Sequence, residues 1–437
     1  MPPTPRDPGG PVEFRFGRLR RLSRRRPVRT VRVDGEPAEF LTDPALVRRV
    51  LVTDGKLYGK GELFQKARIL SRAGLLAPDD SQHRHYRRLA HPYLRTAAVA
   101  GHAPLMERIA RDTVAAWRPG RPVDVQAEMG RAAARIALAT LLGTPPHGRA
   151  DELAERLAVL SWEMSRKPLH GRAARRQDPS RRLARAFGGF RTLLASHVAD
   201  ALTAPAQDVA PGYLSALLAD AGHGDADALG ADEICAEAVM MLVAATVTTA
   251  SVMSWSLYLL AEHPLVEEKV LKDLARTAAE DPGETGTAPA GHGHGGPPGY
   301  TLRFLTEVLR LYPPVWVTCR KALTEVALGE RTYPAGTHVM FSSYFLHRDP
   351  VRYPDPHRLD PDRWLTARPT AHDGAYLPFG AGARGCVGEA FAWRELEILL
   401  GTVAREWRLT VPPGSRITAS ADTTLHPRRL VMIPQPR

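Results

Sequence analysis

The chain has 437 residues, a formal net charge of +12 and a pI near 9.9, and 44% of it is hydrophobic, enough to bury a large core. Three cysteines, at 235, 319 and 386, are too few and too scattered for a disulfide framework, and they fit a reducing cytoplasm. The start, MPPTPRDPGG, lacks an apolar stretch and so does not read as a secretory signal, while the basic balance suits acidic partners of several kinds.

In chain order, residues 13 to 29 carry most of the early arginines and read as a solvated basic helix ahead of the first strand, which makes 1–29 a basic N-terminal segment. Thr30 to Leu41 has strand character around a glycine turn, and Asp43 and Pro44 start a helix through Leu51. Glu62 to Ala77 mixes helix and loop. Ser81 to Arg95 is dense in histidine and arginine; by itself it reads better as a solvated cationic face, though His83 and Arg87, four apart, share a helix face that could grip one anion. Helical patterns recur between 104 and 220, among them Glu152 to Ser165 and Ser180 to Leu202, and they read as scaffold and pocket lid.

Ala238 to Ala261 carries no charged residue and is long enough to span a bilayer. Its six hydroxyls, at 246, 248, 249, 251, 254 and 256, and its lack of an aromatic or basic N-terminal flank favour a central helix buried on all sides. Residues 281–299 form a low-complexity Gly/Pro/His-rich loop. Tyr300 to Tyr312 is a helix stopped by Pro313 and Pro314, and Glu307 and Arg310 can pair on one side of it. Short strands and turns follow.

The stretch LPFGAGARGCVGE, from Leu377 to Glu389, places Cys386 among glycines at 380, 382, 385 and 388, which permit positive φ, and directly before an apolar helix. Unpaired N–H groups and the positive end of the helix dipole there favour a thiolate, a good ligand for a soft metal or haem iron. Cys-x-Gly alone reads better as a buried free cysteine in a turn before a helix. The full pattern of Phe379, Gly382, Arg384, Cys386 and Gly388 is far more specific.

Taken together, the central helix, the Glu307-x-x-Arg310 helix, the Asp362-Arg363-Trp364 segment and the Cys386 loop resemble the haem-thiolate monooxygenases, the cytochrome P450 family, over roughly residues 30 to 435. The resemblance is to the soluble bacterial type. It implies a mainly α fold with small β-sheets, a long central helix over a buried haem, and a single catalytic domain over 30–437. It implies haem b (iron protoporphyrin IX) with Cys386 as iron ligand, Phe379 and Gly380 beside it, and His83, Arg87, Arg320 and Arg384 meeting the propionates. Glu307, Arg310 and Arg363 correspond to a buried ion-pair network. Thr248 matches the threonine that assists proton delivery to dioxygen, but Val247 replaces the acid before it, and valine relays no proton.

Thr246, water or a substrate hydroxyl then remain as proton carriers in ordinary oxidation. The alternatives are oxidative rearrangement, coupling, peroxide-driven chemistry, or haem binding without oxygenase activity. Met240, Met241, Val243, Ala244 and Val247, with Val315, Trp316 and Val317, are expected to line an apolar pocket for a hydrophobic substrate such as a terpenoid, a polyketide or a steroid-like ring. Electrons are expected from a ferredoxin and its reductase, docking on a basic patch that includes Arg84, Arg88 and Arg394. A basic nucleic-acid or membrane-associated helical protein is the competing class; the preferred reading has neither a nucleic-acid partner nor a transmembrane anchor, and is cytoplasmic.

Overall fold

The computed structural model describes residues 27–33, 35–61, 75, 80–143, 149–166, 179–204, 210–221, 229–280, 298–366 and 373–437. Most of the basic N-terminal segment, nearly all of the 281–299 loop and most of the Glu62 to Ala77 stretch lie outside the described residues.

Strands β1 (Val28–Val33) and β2 (Glu36–Leu41) form an antiparallel hairpin through Gly35, whose φ of 98° only glycine adopts readily. Asp43 caps helix α1 (Pro44–Arg48), its carboxylate accepting from Ala45 N at 2.8 Å. The chain continues through a single wide turn at Arg49–Thr53 to β3 (Tyr58–Lys60). Helices α2 (Asp80–Leu94) and α3 (Thr96–Ala115), the short strand β4 (Val123–Asp124), and helices α4 (Val125–Leu141), α5 (Arg149–Ser165), α6 (Pro179–Thr203) and α7 (Tyr213–Ala221) come next. They surround α8 (Ala231–Glu262), which packs on α4, α5, α6 and the late helix α12.

Helix α8 is long and apolar enough to cross a membrane, but here it is the core helix, buried along most of its length. Its hydroxyls tolerate that burial because they bond to their own helix. Thr246 donates to Leu242 O (2.8 Å), Ser254 to Ala250 O (2.7 Å) and Ser256 to Val252 O (2.9 Å). Trp255 stacks on Tyr312 at 4.0 Å between centroids and donates its indole N–H to Leu425 O.

After α9 (Pro264–Glu280) and α10 (Tyr300–Leu311) come β5 (Thr318–Ala322), β6 (Val326–Leu328), β7 (Arg331–Tyr333), β8 (His338–Phe341) and α11 (Ser343–Leu346). Strands β1, β2, β8, β5 and β3 form one sheet in that order. The Cys386 loop leads into α12 (Glu389–Glu406), and β9 (Trp407–Thr410), β10 (Ala419–Ala421), β11 (Leu425–Pro427) and β12 (Val431–Pro436) close the chain.

Helix α10 fastens this second half together. Glu307 and Arg310 are both wholly buried and meet in a bidentate pair, Nε to Oε2 at 2.8 Å and Nη2 to Oε1 at 2.9 Å. Arg363 Nε (3.0 Å), Trp364 Nε1 (3.1 Å) and the Asp360 amide (3.0 Å) also donate to the Glu307 carboxylate. Arg310 in turn donates to the carbonyls of His347, Pro356 and Arg358.

His347 extends the network to the cysteine loop. Burial, with Arg310 and Arg348 adding to it, brings its pKa down to about 3, so it is neutral. Its Nε2 accepts from Leu377 N (2.7 Å), which leaves Nδ1 to donate to Arg310 O (3.3 Å). A charge buried in this way is costly to strand. Glu307→Gln is expected to lower unfolding free energy by about 3–5 kcal/mol, because the buried Arg310 loses its counter-charge and Arg363 keeps only the more distant Asp360. A urea titration followed by circular dichroism measures it, and an unchanged midpoint contradicts the assigned role.

Candidate active site

The cysteine loop closes on itself: Cys386 N donates to Phe379 O at 2.8 Å, and Gly385 N to Gly382 O at 2.9 Å. Gly380 (φ 70°) and Gly382 (φ 71°) have left-handed backbones, whereas Gly385 and Gly388 do not, so only the first two are needed for that reason. Gly382 is further constrained, since a Cβ there would collide with the Leu51 carbonyl of the wide turn after α1. Phe379 is half-buried and lies against Trp393 with centroids 5.5 Å apart.

Cys386 keeps an accessible side chain, yet enough protein surrounds it for burial to push its thiol up to about 11. The combination marks a side chain facing a hollow inside the protein. The Gly388 N–H and, more weakly, Arg87 oppose the rise, and Glu389 adds to it. The expected thiolate therefore does not follow from the helix terminus alone, because desolvation wins; a coordinated metal ion would supply the missing stabilisation.

Helix α8 exposes one spot in its otherwise buried middle. Ala244 is exposed and Ala245, Val247 and Thr248 are half-buried, with Thr248 Oγ1 donating to Ala244 O at 2.9 Å. Val315, 46% exposed, and half-buried Val317 supply further accessible apolar surface. Other expected residues are buried rather than accessible. Thr246 is fully buried on its own helix backbone, and Met240, Met241 and Val243 belong to the core cluster. Trp316 is buried as well and spends its indole N–H on Asp422 O at 2.8 Å.

Cations gather beside the loop. Arg87 Nη1 donates to Gly385 O at 2.6 Å, so α2 touches the cysteine loop directly, with His83 buried one turn earlier. Arg320 and Lys60 are cross-strand partners in the β3–β5 pairing, and Arg384 stands close to Lys60. Burial first, then Arg384 and Arg320, lower the Lys60 ammonium to about 7. Like charges placed opposite each other on a sheet repel.

The family model for cytochrome P450 matches residues 15–437. The chain belongs to the cytochrome P450 family. It is 32% identical over 414 residues to a cyclooctat-9-en-7-ol 5-monooxygenase of Streptomyces melanosporofaciens, covering 93% of this chain and 88% of the relative. It is 31% identical over 410 residues to a pentalenene oxygenase of Streptomyces avermitilis, covering 92% and 88%. A solved cytochrome P450 from Thermus thermophilus shares the fold at a TM-score of 0.70 and 24% identity, over 97% of this chain and 99% of that one. As a cytochrome P450 the chain is an oxidoreductase, a monooxygenase, and the family implies a haem-thiolate cofactor.

The residues present fit such a group. A cytochrome P450 needs a thiol opening inward opposite an accessible stretch of its central helix, and fixed cations to offset the desolvation of haem carboxylates. Cys386 offers an accessible thiol, α8 an accessible stretch from Ala244 to Thr248, and Lys60, Arg320 and Arg384 the cations. Sequence reading missed Lys60, since its neighbours are set by strand register. It also missed Glu395, buried on α12 and bonded to Thr249, though Glu395 stands between Ala392 and Leu399 on the helix's apolar face.

An anion seated in that cluster raises the Lys60 pKa, so binding takes up a proton above pH 7 and affinity falls as pH rises. Calorimetric titration of the apoprotein with haem, in buffers of different ionisation enthalpy, is expected to show fewer protons released by the wild type than by Lys60→Met above pH 7, since the Cys386 thiol gives up its proton in both and only the wild type takes one up at Lys60. Equal proton release by both proteins overturns the assignment.

Proposed function

We propose that this cytochrome P450 binds haem b through Cys386 and uses dioxygen to oxidise a terpenoid, with electrons from a ferredoxin and its reductase. The observation that carries the reading is the accessible, apolar middle of α8 around Thr248, set in a protein whose one accessible cysteine among the described residues is Cys386. When bound, haem supplies dioxygen activation. The chain's own residues do the rest: Cys386 anchors the iron, and Arg87, Arg320, Arg384 and Lys60, with His83 behind them, steady the carboxylates. Ala244, Val247, Val315 and Val317 offer a hydrophobic substrate a surface that excludes water, and Thr248 presents the hydroxyl there.

The substrate class rests on relatives whose names give cyclooctat-9-en-7-ol and pentalenene, both polycyclic terpenoids. One single catalytic domain over 30–437 fits this reading, as does a cytoplasmic location. A second reading is favoured by Val247: rearrangement, coupling or peroxide-driven chemistry draws less on a proton supply than ordinary hydroxylation does. The reduced, haem-loaded protein is expected to give a thiolate-type Soret band with carbon monoxide and to oxygenate members of a cyclic terpene panel. Absence of that band defeats the haem-thiolate site. The band without oxygenated product, but with rearranged or coupled product, favours the second reading.

For the electron donor, α2 presents Arg84, Arg88 and His91 to solvent along one side, about one turn apart, and Arg95 is exposed just past its end. Arg394 is not part of this surface, because it is buried near Glu397. Such a stripe steers an acidic partner through long-range attraction. Changing Arg84 and Arg88 together to Glu is expected to slow reduction by an acidic ferredoxin about tenfold at low salt. Stopped-flow rates that match the wild type at every ionic strength remove α2 as the docking face.

A further inference from the structure

Strand β5 carries a polar group that no described part of the protein uses. Thr318 is half-buried and makes no side-chain hydrogen bond among the described residues. Threonines in the helices behave differently: Thr113, Thr140, Thr246 and Thr306 each donate to the carbonyl four residues back. A strand offers no such carbonyl, and the backbone of β5 is already engaged, with Thr318 paired to Phe341 of β8. Strand preference does not require the hydroxyl, because valine suits a strand as well.

Alternation along β5 shows which way Thr318 faces. Cys319 packs with Val33, Phe40 and Met340 on one side of the sheet. Ala322 packs on the other side with Leu377 and Ala381 of the cysteine loop, and Arg320 shares that side with its cross-strand partner Lys60, near Arg384. Side chains two apart on a strand share a face, so Thr318 points with Arg320 and Ala322 toward the cysteine-loop side. It stands about 7 Å from Arg320 along the strand. That places it on the chain between Arg320 and Val315, which is 46% exposed and part of the apolar surface offered to a substrate. Lys60, Arg87, Arg320 and Arg384 already serve the haem carboxylates, so the Thr318 hydroxyl is left for a different oxygen.

We propose that Thr318 recognises an oxygen atom on the substrate, so that this enzyme acts on a terpenoid already carrying a hydroxyl or carbonyl group. The inference rests on the terpenoid reading above and narrows it. An apolar substrate that covers this face drives water off the hydroxyl, and a hydroxyl stripped of water without a new partner is costly. A hydrocarbon is therefore penalised, whereas an oxygenated terpenoid restores the lost bond. Thr318 Oγ1 can donate or accept, so an alcohol and a ketone both satisfy it. The step that supplies the substrate must then install oxygen. Either an earlier oxygenation does so, or a cyclisation whose final carbocation adds water and releases a proton; a cyclisation that ends by losing a proton alone delivers a hydrocarbon.

The test uses the haem-loaded protein and reads binding from the Soret shift on titration, which needs no turnover. Matched cyclic terpenes are the probes: cedrol against cedrane, and patchoulol against patchoulane. In the wild type at least one alcohol is expected to bind about tenfold more tightly than its parent hydrocarbon, the worth of one hydrogen bond. Thr318→Val keeps the size and strand preference of the residue and is expected to weaken the alcohol about tenfold while leaving the hydrocarbon unchanged or tighter. Thr318→Ser is expected to retain the preference. Alcohols that bind no better than their hydrocarbons, or a preference that survives Thr318→Val, overturn the proposal. So does a tenfold loss of haem affinity in the Thr318→Val apoprotein, because it assigns the hydroxyl to a haem carboxylate. No Soret shift with any of the terpenes defeats the terpenoid reading itself, so the two failures are distinguishable.

Discussion

The Glu307 carboxylate, held between Arg310 and Arg363 without exposure to water, is the interaction on which the site depends. Each of its oxygens is shared: Oε1 takes Arg310, Arg363 and the Asp360 amide, and Oε2 takes Arg310 and the Trp364 indole. The guanidinium of Arg310 spends its remaining donors on three backbone carbonyls of the irregular stretch after α11. A segment with little secondary structure thereby acquires fixed anchor points, and a neutral His347 carries the register on to Leu377. From Leu377 the loop needs only two left-handed glycines and its own hydrogen bonds to set Cys386 in place.

Across the site the logic is different. Helix α8 is a core helix whose hydroxyls are mostly consumed by its own carbonyls, so the few that are not so used acquire meaning. Thr249 is such a case, because it bonds outside the helix to a carboxyl that burial keeps protonated. The enzyme thus has repelling cations beside the cysteine loop and an uncharged acid beyond the central helix, two electrostatic environments built from opposite uses of desolvation. In the first, several positive charges share a site suited to an anion. In the second, removal from water keeps an acid neutral.

Much of this was legible beforehand. Alternation and turn residues locate the β1–β2 hairpin, the Asp43-Pro44 cap starts α1, and the apolar run with its scattered hydroxyls indicates a buried central helix. The glycine-rich loop points to Cys386, although its thiolate was expected from the helix terminus and the loop amides, which do not outweigh burial. Thr246 was a reasonable proton carrier by position, but consecutive residues on a helix turn by about 100°, and that rotation puts it in the core. The same rotation turns Val243 away from Thr248, whereas Met241 shares the helix face of Ala244 and Thr248 and is covered there by packing.

The sequence by itself determined the family-like order of elements, the candidate ligand cysteine and the acid missing at Val247, because these depend on residue types at short spacing. Only the tertiary structure decided that Lys60 stands beside Arg320, that Arg394 is buried, and that Glu395 lies against Thr249. Those facts join segments far apart in the chain. Strand register and helix packing set them, and so does the water that folding removes, none of which is written in any local pattern.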